Sequence, residues 1–526
     1  MKRITALCTA MVVFIWCLNL RVALIMDADY STAAAVNSAR TVTVATSRGY
    51  IYDRNYVPLV NRVKQHQAAV LPCAQALEAL GGNFDDTQVD ILQDGKPYVV
   101  STFYRRPDTD TVKYFDTAIR YGTSAAHIVG YTNAEGSGVC GIEQSFDALL
   151  SDTSGTVEVS YTADAWGNAL PTGSLTLREK NYDSKGGVRL TLDSYIQEVC
   201  EAAAEQFRLT AGAIVVLKAD TAEILASVSV PTFDPANPAA SLQDETSPFL
   251  NRALTPYATG SIFKVVTAAA ALEQGIDPNF SYTCTGSIDV GGTIFHCHKH
   301  DGHGTLDMTG ALANSCNTYF IALAQEIGGK PILELSKQLG LGSSNALAAS
   351  ITDATGTLPD EKSLSNSGEI ANFAFGQGTL STTPLQMAAV YAAIANGGIY
   401  IRPYLLMEQL NNHGDAVAEY IPDAGVRVMQ TTTAETIGGM LQVTVTDGSG
   451  RNAQPSTTTA AGKTATAQSG IFSDGEEILR TWFCGYFPAD NPEYVISVMK
   501  ENGSSPTTDC APIFKFIADS LYPSVS

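Results

Sequence analysis

The chain opens with a long apolar segment. Lys2 and Arg3 precede the uncharged run Ile4–Leu20, and Arg21 separates this run from a second apolar stretch, Val22–Met26. A run of this length is close to the minimum for crossing about 30 Å of hydrocarbon, and positive charge before a first span favours a cytoplasmic N-terminus. We therefore expect a cytoplasmic tail at 1–3, a single-pass membrane anchor at 4–26, and the rest of the chain outside the cytoplasm.

A cleaved signal peptide is the alternative interpretation of this segment. The tripeptide Ala33-Ala34-Ala35 offers a small-residue cleavage site. It lies further beyond the apolar run than such sites usually do, so the uncleaved anchor is favoured.

Beyond the anchor, the hydrophobic pattern predicts an α+β protein with two further regions. Residues 40–187 carry short strand-like runs rich in Asp, Thr and Gly, and we expect an elongated mixed spacer there. Residues 188–526 carry strands at both ends with a mostly helical middle between them, which predicts one domain with an antiparallel sheet. The predicted elements are strands at Ala213–Leu217, Glu223–Ser229, Thr459–Gln468, Thr481–Phe487 and Tyr494–Lys500, and helices at Asp193–Phe207 and Ile513–Leu521.

Composition and charge exclude one class of binding partner. The chain has 526 residues, of which 45% are hydrophobic and 16% charged, and its formal net charge is −21 from 32 Lys and Arg against 53 Asp and Glu. A nucleic-acid-binding protein needs a basic surface to displace counterions, and the sequence has no basic stripe. We exclude nucleic acid as a partner.

The first candidate for chemistry lies at the start of a predicted buried helix. Ser261 and Lys264 are three residues apart, so they share one side of the first helical turn, where free backbone N–H groups and the helix dipole favour a nucleophilic serine. A lysine can accept the serine proton when burial and a nearby positive charge lower its pKa. Ser497 and Lys500 have the same spacing, but they lie in a predicted strand, where they point to opposite faces and cannot cooperate.

Two further elements support this interpretation. Ser315-Cys316-Asn317 lies in the helical middle, and Lys463-Thr464-Ala465-Thr466 lies on a predicted strand whose edge can pair with an extended peptide. A second S-x-N match, Ser343-Ser344-Asn345, follows a Gly-rich segment and is interpreted as a turn.

Together, these elements resemble the S-x-x-K, S-x-N and K-T-G set of the penicillin-binding proteins, in the same order. Further stretches resemble the class B, monofunctional group over nearly the whole chain after the anchor. These are Arg48–Asn55, Gly141–Gln144, Leu190–Asp193, Gly376–Gly378 and Thr383–Gln386.

The resemblance implies a five-stranded antiparallel sheet flanked by helices, a pedestal-like spacer that can dimerise, and a peptidoglycan DD-transpeptidase activity inhibited covalently by β-lactams. It also implies a membrane glycosyltransferase partner and no cofactor or metal. Ser261 would attack the D-Ala-D-Ala carbonyl of a stem peptide. Lys264 would act as its base, Ser315 and Asn317 would relay a proton and orient groups, and Lys463 would keep Lys264 neutral. The substrate would be bound by Thr464, Ala465, Thr466, Gly376 and Gln377.

One residue departs from the family pattern, because Ala465 stands where the motif has glycine. We expect the added methyl group to be absorbed by a small shift of the strand. Two alternatives stay open: a β-lactam hydrolase or DD-carboxypeptidase on the same Ser–Lys site, and a scaffold of cell-wall machinery without activity.

A second cluster is not explained by the resemblance. Cys284, Cys297 and four of the seven histidines, at 296, 298, 300 and 303, fall in a Gly-rich segment before the S-x-N motif. We interpret the segment as a structural or redox-sensitive loop, with zinc binding as the alternative. Oxidation of Cys316 with Cys297 or Cys284 is a further hypothesis.

Overall fold

The computed structural model describes residues 2–27, 38–84, 95–473 and 475–523. The fold is of the α+β class, as predicted, and the chain divides into two compact units. The first comprises residues 1–48, 63–119 and 153–184, and the second comprises 49–62, 120–152 and 185–526. The segments 49–62 and 120–152, which we placed in the spacer, therefore pack with the second unit. The assignment of functional domains at 40–187 and 188–526 stays a prediction.

The apolar N-terminal segment forms one continuous helix, Lys2–Asp27. Within the described residues, only the part from Lys2 to Met26 is both long and apolar enough to cross a membrane. The tripeptide Ala33-Ala34-Ala35 lies outside the described residues.

After the N-terminal helix, the described residues of the first unit form two three-stranded sheets and a short helix. In one sheet, Thr156–Thr162 is the central strand, and every second residue of it is buried, which is the pattern of a strand with one face on a core. The elements are the strands Ala39–Thr46, Thr156–Thr162 and Thr176–Lys180 of one sheet, the strands Tyr98–Thr102, Val63–Val70 and Val112–Ile119 of the other, and the helix Ala74–Leu80.

The second unit is built on a five-stranded antiparallel sheet, as the resemblance implied. Its strands come from both ends of the unit, so residues more than 200 positions apart along the chain lie side by side. In spatial order the strands are Ile224–Val230, Gly212–Lys218, Tyr494–Lys500, Glu476–Phe487 and Ala461–Ser473. The last two strands extend beyond their predicted limits, because the pairing of their hairpin continues past an irregularity after Gln468.

Both faces of this sheet are covered. In the Gly212–Lys218 strand, Ala213, Val215 and Leu217 belong to the core that holds the Lys264–Glu273 helix, whereas Ile214 and Val216 pack with the helices Ser194–Gln206 and Ala511–Leu521. This explains why the strand is apolar without alternation.

The middle of the second unit is less uniformly helical than predicted. Its helices alternate with short two-stranded ladders, whose strands have two to four residues and give no periodic signal. The helices of the unit are Ala126–Val129, Gly141–Ser145, Asp147–Asp152, Ser194–Gln206, Lys264–Glu273, Met308–Ala313, Asn317–Ile327, Gly329–Gln338, Ser367–Ala374, Pro384–Ala395, Thr431–Thr446, Pro506–Asp509 and Ala511–Leu521, with short 3-10 turns at Pro238–Ser241, Arg252–Leu254, Gly260–Phe263, Ser363–Ser365 and Arg451–Ala453.

The ladders pair Tyr257–Ala258 with Ser381–Thr382, Tyr282–Cys284 with Gly304–Leu306, Ser287–Val290 with Thr293–His296, Asn345–Ala348 with Ile351–Asp353, and Ile399–Tyr400 with Val426–Arg427. A four-stranded sheet joins Tyr50–Tyr52, Gly187–Leu190, Leu406–Leu410 and Ala416–Glu419.

Candidate active site

Ser261 lies in a 3-10 turn, Gly260–Phe263, that leads directly into the buried helix Lys264–Glu273. The backbone N–H of Lys264 donates to the Ser261 carbonyl, which closes the turn. Gly260 precedes the serine with a φ of +63°, and a Cβ added there would lie 2.9 Å from the Thr466 carbonyl oxygen. The turn therefore lies close against the strand that carries the third motif.

Lys264 is fully buried and contacts the second motif directly. Its ammonium nitrogen donates to the Ser315 carbonyl at 2.7 Å, to Asn317 Oδ1 at 2.7 Å, and to Ser315 Oγ at 3.3 Å. Burial lowers the pKa of Lys264 to about 7, because a charged amine loses its hydration in the interior. A neutral lysine is thus accessible near physiological pH.

The second motif is a turn between two helices. Met308–Ala313 ends at Asn314, Ser315 takes a φ of +55°, and Asn317 begins the next helix. A non-glycine residue in this left-handed region costs of order 1 kcal/mol and persists only where its surroundings hold it. The conformation places the Ser315 carbonyl and hydroxyl oxygens together at the Lys264 amine.

Lys463 is also fully buried, on the Ala461–Ser473 strand. Its amine donates to the Thr464 carbonyl at 2.9 Å. Burial, followed by repulsion from Lys264, holds the pKa of Lys463 well below its usual range. Both burial and a nearby positive charge were expected to keep Lys264 neutral. In the structure, burial is the cause that lowers the pKa of Lys264, and repulsion between the two lysines adds to burial only for the pKa of Lys463.

The alternation of the strand places the side chain of Ala465 in the core. Lys463 and Ala465 are buried on the face that packs toward the Lys264–Glu273 helix, and Ala465 pairs with Trp482 across the ladder. Thr466 is exposed, and the Thr464 hydroxyl lies 2.8 Å from Ser449 Oγ. The methyl group of Ala465 is therefore part of the core and lies on the face opposite to both threonines.

Gly376 lies behind the serine turn. The Gly260 N–H donates to the Gly376 carbonyl at 2.8 Å, and a side chain on Gly376, whose φ is +86°, would collide with the Gly260 carbonyl. The Gln377 N–H donates to the Asn372 carbonyl at 2.9 Å. These contacts give Gly376 a role in positioning the turn, while substrate binding by Gly376 and Gln377 stays a prediction.

The two rejected motif matches lie in other settings. The Ser497 hydroxyl accepts from the Cys484 thiol inside the sheet, and Lys500 forms an ion pair with Asp509 at 2.9 Å. Asn345 donates to the Pro403 carbonyl, and the Ser343 hydroxyl donates to the Gly340 carbonyl.

Acidic residues of the outlying motifs serve as structural links. Asp53 is buried and accepts hydrogen bonds from the backbone N–H groups of Asn55, Val57 and Ser194. Glu143 is buried and forms an ion pair with Arg120. These contacts connect distant segments of the second unit and bring no group to Ser261.

The structure also brings together Cys316 and the Cys284–His303 segment, which the oxidation hypothesis had connected. The side chains of Cys284, Cys297, His303 and Cys316 form a tight group, which we call the thiol–imidazole cluster. The sequence did not indicate that His303, rather than another histidine of the segment, would complete the group. Ser449, which reaches Thr464, was also missed because it belongs to no motif.

Comparison with known proteins gives a consistent result. Residues 212–519 match the family model described as the penicillin binding protein transpeptidase domain. Penicillin-binding protein PbpB of Mycolicibacterium smegmatis is 33% identical over 76% of this chain and 63% of its own length. Peptidoglycan D,D-transpeptidase MrdA of Acinetobacter baumannii is 28% identical over 90% of this chain and 80% of its own.

The solved structure of penicillin-binding protein 3 from Mycobacterium tuberculosis, complexed with aztreonam, superposes with a TM-score of 0.67 at 26% identity. The match covers 92% of this chain and 96% of that one. The chain thus spans a little under two thirds of PbpB but nearly all of the crystallised part of this neighbour.

Proposed function

Because the chain belongs to the class B penicillin-binding proteins, we propose that it is a peptidoglycan DD-transpeptidase that cross-links stem peptides through an acyl-enzyme on Ser261. The observation that carries the proposal is the buried amine of Lys264, which lies one turn after Ser261 along the chain and donates hydrogen bonds to Ser315 and Asn317. A serine protease-like triad is not needed, because a neutral lysine can act as the base.

In the acylation step, Lys264 takes the Ser261 proton while Oγ attacks the carbonyl of the D-Ala-D-Ala bond. The ammonium that forms is stabilised by the Ser315 carbonyl and Asn317 Oδ1, which both accept from it. The Ser315 hydroxyl, also at Lys264, passes the proton to the leaving D-Ala amine. The products are an ester on Ser261 and free D-alanine.

The third motif binds the rest of the substrate. The backbone N–H groups of Ser261 and Thr466 are the proposed oxyanion donors, each contributing about 2.7–4 kcal/mol by analogy with other acyl transferases. Thr464 and Thr466 hydrogen-bond the terminal carboxylate, and that negative charge favours a protonated Lys463 once the substrate is bound. The amine of a second stem peptide then attacks the ester and releases Ser261.

The remaining proposals concern location and partners. We place the N-terminal helix across the cell membrane, with residues 1–3 in the cytoplasm and the part of the chain that follows the helix outside it. Peptidoglycan stem peptides and β-lactams are the proposed ligands, and a membrane glycosyltransferase is the proposed partner. The names of two relatives, penicillin-binding protein PbpB and peptidoglycan D,D-transpeptidase MrdA, are consistent with these proposed ligands.

Labelling with a fluorescent penicillin tests the nucleophile. The full chain in detergent is expected to take up one label, with a mass increment on the peptide that contains residue 261. The Ser261→Ala variant is expected to lose labelling completely. Ser343→Ala, a change in the rejected S-x-N match, is the matched control and should label like wild type.

The same protein separates the proposed activity from its alternatives. With a D-Ala-D-Ala donor peptide, release of D-alanine that yields a cross-linked product when an acceptor amine is added supports transpeptidation. Hydrolysis alone supports a carboxypeptidase, rapid release of the penicillin label supports a β-lactam hydrolase, and no labelling of wild type supports the inactive scaffold.

A further inference from the structure

A loop outside the three motifs contacts the strand of the third motif. Ser449 follows the helix Thr431–Thr446, and its side-chain oxygen lies 2.8 Å from the side-chain oxygen of Thr464. Thr464 is buried and Ser449 is half-buried. We propose that Ser449 is a positioning residue that directs the Thr464 hydroxyl toward the terminal carboxylate of the donor substrate. The inference rests on the proposed function, because that carboxylate is the ligand proposed above for Thr464.

Backbone contacts fix the position of Ser449. Its N–H donates to the Ala313 carbonyl at 2.9 Å, and the next N–H along the chain, that of Gly450, donates to the Thr444 carbonyl at 2.9 Å. The residue before it, Gly448, packs so closely that an added Cβ would lie 2.5 Å from the Ala313 carbonyl oxygen. These contacts hold the loop, and with it the Ser449 hydroxyl, in place beside the third motif.

Ala313 connects Ser449 to the second motif. It is the last residue of the helix Met308–Ala313, and Ser315, whose carbonyl and hydroxyl oxygens contact Lys264, lies two positions further along the chain. Ser449 therefore contacts the segment before the second motif through its backbone and the strand of the third motif through its side chain. This double contact fixes the Thr464 hydroxyl relative to the groups around Lys264.

The direction of the hydrogen bond between the two hydroxyls follows from the ligand. Each hydroxyl has one hydrogen to donate and two lone pairs that accept, and either Ser449 or Thr464 can be the donor at 2.8 Å. A carboxylate only accepts, so the Thr464 hydrogen must point to it when the substrate binds. Ser449 then donates to Thr464, and the two hydrogen bonds form a chain in which each polarises the other. Ser449 thereby selects the hydroxyl orientation that a carboxylate requires.

The expected consequence is selectivity for an ionised group. Hydrogen bonds to an ionised acceptor are roughly twice as strong as those between neutral groups, so a Thr464 hydroxyl polarised by Ser449 stabilises a charged ligand most. A methyl ester in place of the carboxylate removes the charge and leaves the rest of the ligand unchanged. Loss of the Ser449 hydroxyl should therefore weaken recognition of the acid more than that of the ester, whereas a general loss of packing would weaken both equally.

Acylation of the full chain by benzylpenicillin and by its methyl ester tests the assignment. The measured quantity is the ratio of the two second-order rate constants, obtained from intact mass in detergent. Ser449→Ala is expected to lower the acid-to-ester ratio about fivefold, as for the loss of one neutral hydrogen bond. Ser449→Thr keeps a hydroxyl and should keep the wild-type ratio. Thr446→Ala removes an exposed hydroxyl that donates to Asp447 in the same segment, and as the matched control it should leave both rate constants unchanged.

A double-mutant cycle separates the hydroxyl pair from a structural effect. In the Thr464→Val background the hydroxyl partner is absent while the shape of the side chain is kept, so Ser449→Ala should cause no further change in the ratio. If the alanine variant does not fold, Ser449→Cys takes its place with the same expected direction, because a thiol is a weak donor.

Three outcomes would overturn the inference alone: an unchanged ratio in the folded Ser449 variant, an equal loss of both rate constants, or a full additional loss in the Thr464→Val background. Each of them leaves an acylated wild-type protein and therefore the proposed function intact. A wild-type chain that forms no adduct with either compound would instead overturn the proposed function, and this inference with it.

Discussion

At the residue scale, the surroundings of the Lys264 amine determine its pKa. Lys264 has no exposed surface, and its three acceptors hold it in place without a carboxylate to keep it charged. The spacing of Ser261 and Lys264, the burial of their helix and the direction of the pKa shift could be expected from the sequence. The completeness of the burial could not, because it depends on helices that come from distant parts of the chain.

This burial predicts the pH dependence of acylation. In the proposed mechanism the neutral form of Lys264 is the base, and its pKa is lowered to about 7, so the rate of penicillin labelling should be constant above that pH. Below it, the rate should fall about tenfold per pH unit as the amine becomes protonated. The measurement is the second-order labelling rate between pH 5.5 and 8.5.

Lys500→Gln is the matched control for the profile, because Lys500 belongs to the rejected motif match and forms its ion pair with Asp509. It should leave the midpoint unchanged. A labelling rate that does not vary over this range in the wild-type protein would mean that Lys264 is not the base.

The position of Ala465 gives a second prediction at this scale. Ala465→Gly removes a buried methyl group and places glycine inside a strand, so it should lower the free energy of unfolding by about 1–2 kcal/mol. The penicillin labelling rate should be equal to that of wild type or faster, because the methyl group lies on the face away from the threonines. Urea denaturation and labelling kinetics measure the two effects.

Ala467→Gly, on the same buried face, is the control for the stability effect and should cost a similar amount. If the Ala465→Gly variant remained folded but was labelled more slowly, the packing of the Ala465 methyl group would be required for the geometry of this strand.

At the scale of elements, the strands that were predicted best are those with long buried runs. Tyr494–Lys500 was predicted with the observed limits, and Gly212–Lys218 to within one residue at each end. The short ladders of the middle region were not predicted, because strands of two to four residues show no period. Their pairing is fixed by turns and by contacts with neighbouring helices, which a single sequence does not reveal.

The link between Arg120 and the Gly141–Ser145 helix gives a prediction for element packing. Arg120 donates to Glu143 through Nε at 2.8 Å and Nη2 at 2.6 Å, and Glu143 has no exposed surface. Glu143→Gln would leave a mostly buried guanidinium without its counter-charge, so it should lower the free energy of unfolding by about 3 kcal/mol. Denaturant unfolding of the full chain measures the loss.

The exposed pair of Arg62 and Glu198, 2.9 Å apart, is the natural comparison. Glu198→Gln should cost at most about 1 kcal/mol, because water screens the pair and solvates the partner that is left. Equal losses for the two variants would contradict a structural role for the buried carboxylate.

At the scale of the whole molecule, three segments far apart in sequence meet because the central sheet takes strands from both ends of the second unit. The order of the motifs could be recognised in the sequence, and the sheet class followed from the position of the strands. That Cys316 could meet Cys297 or Cys284 was a hypothesis from the sequence, but the place of His303 in the same group could not be predicted, since it requires knowing that Gly304 returns to pair with Cys284. The alternation of the two units along the chain could not be predicted either, because segments 49–62 and 120–152 do not differ recognisably in composition from the segments around them.

The backbone contact between Gly260 and Gly376 limits how this protein can change under selection. Every amino-acid replacement at either glycine codon introduces a side chain that meets main-chain atoms, which cannot rotate away. Under the proposed function, substitutions that weaken β-lactam binding while preserving this turn are therefore expected at other positions.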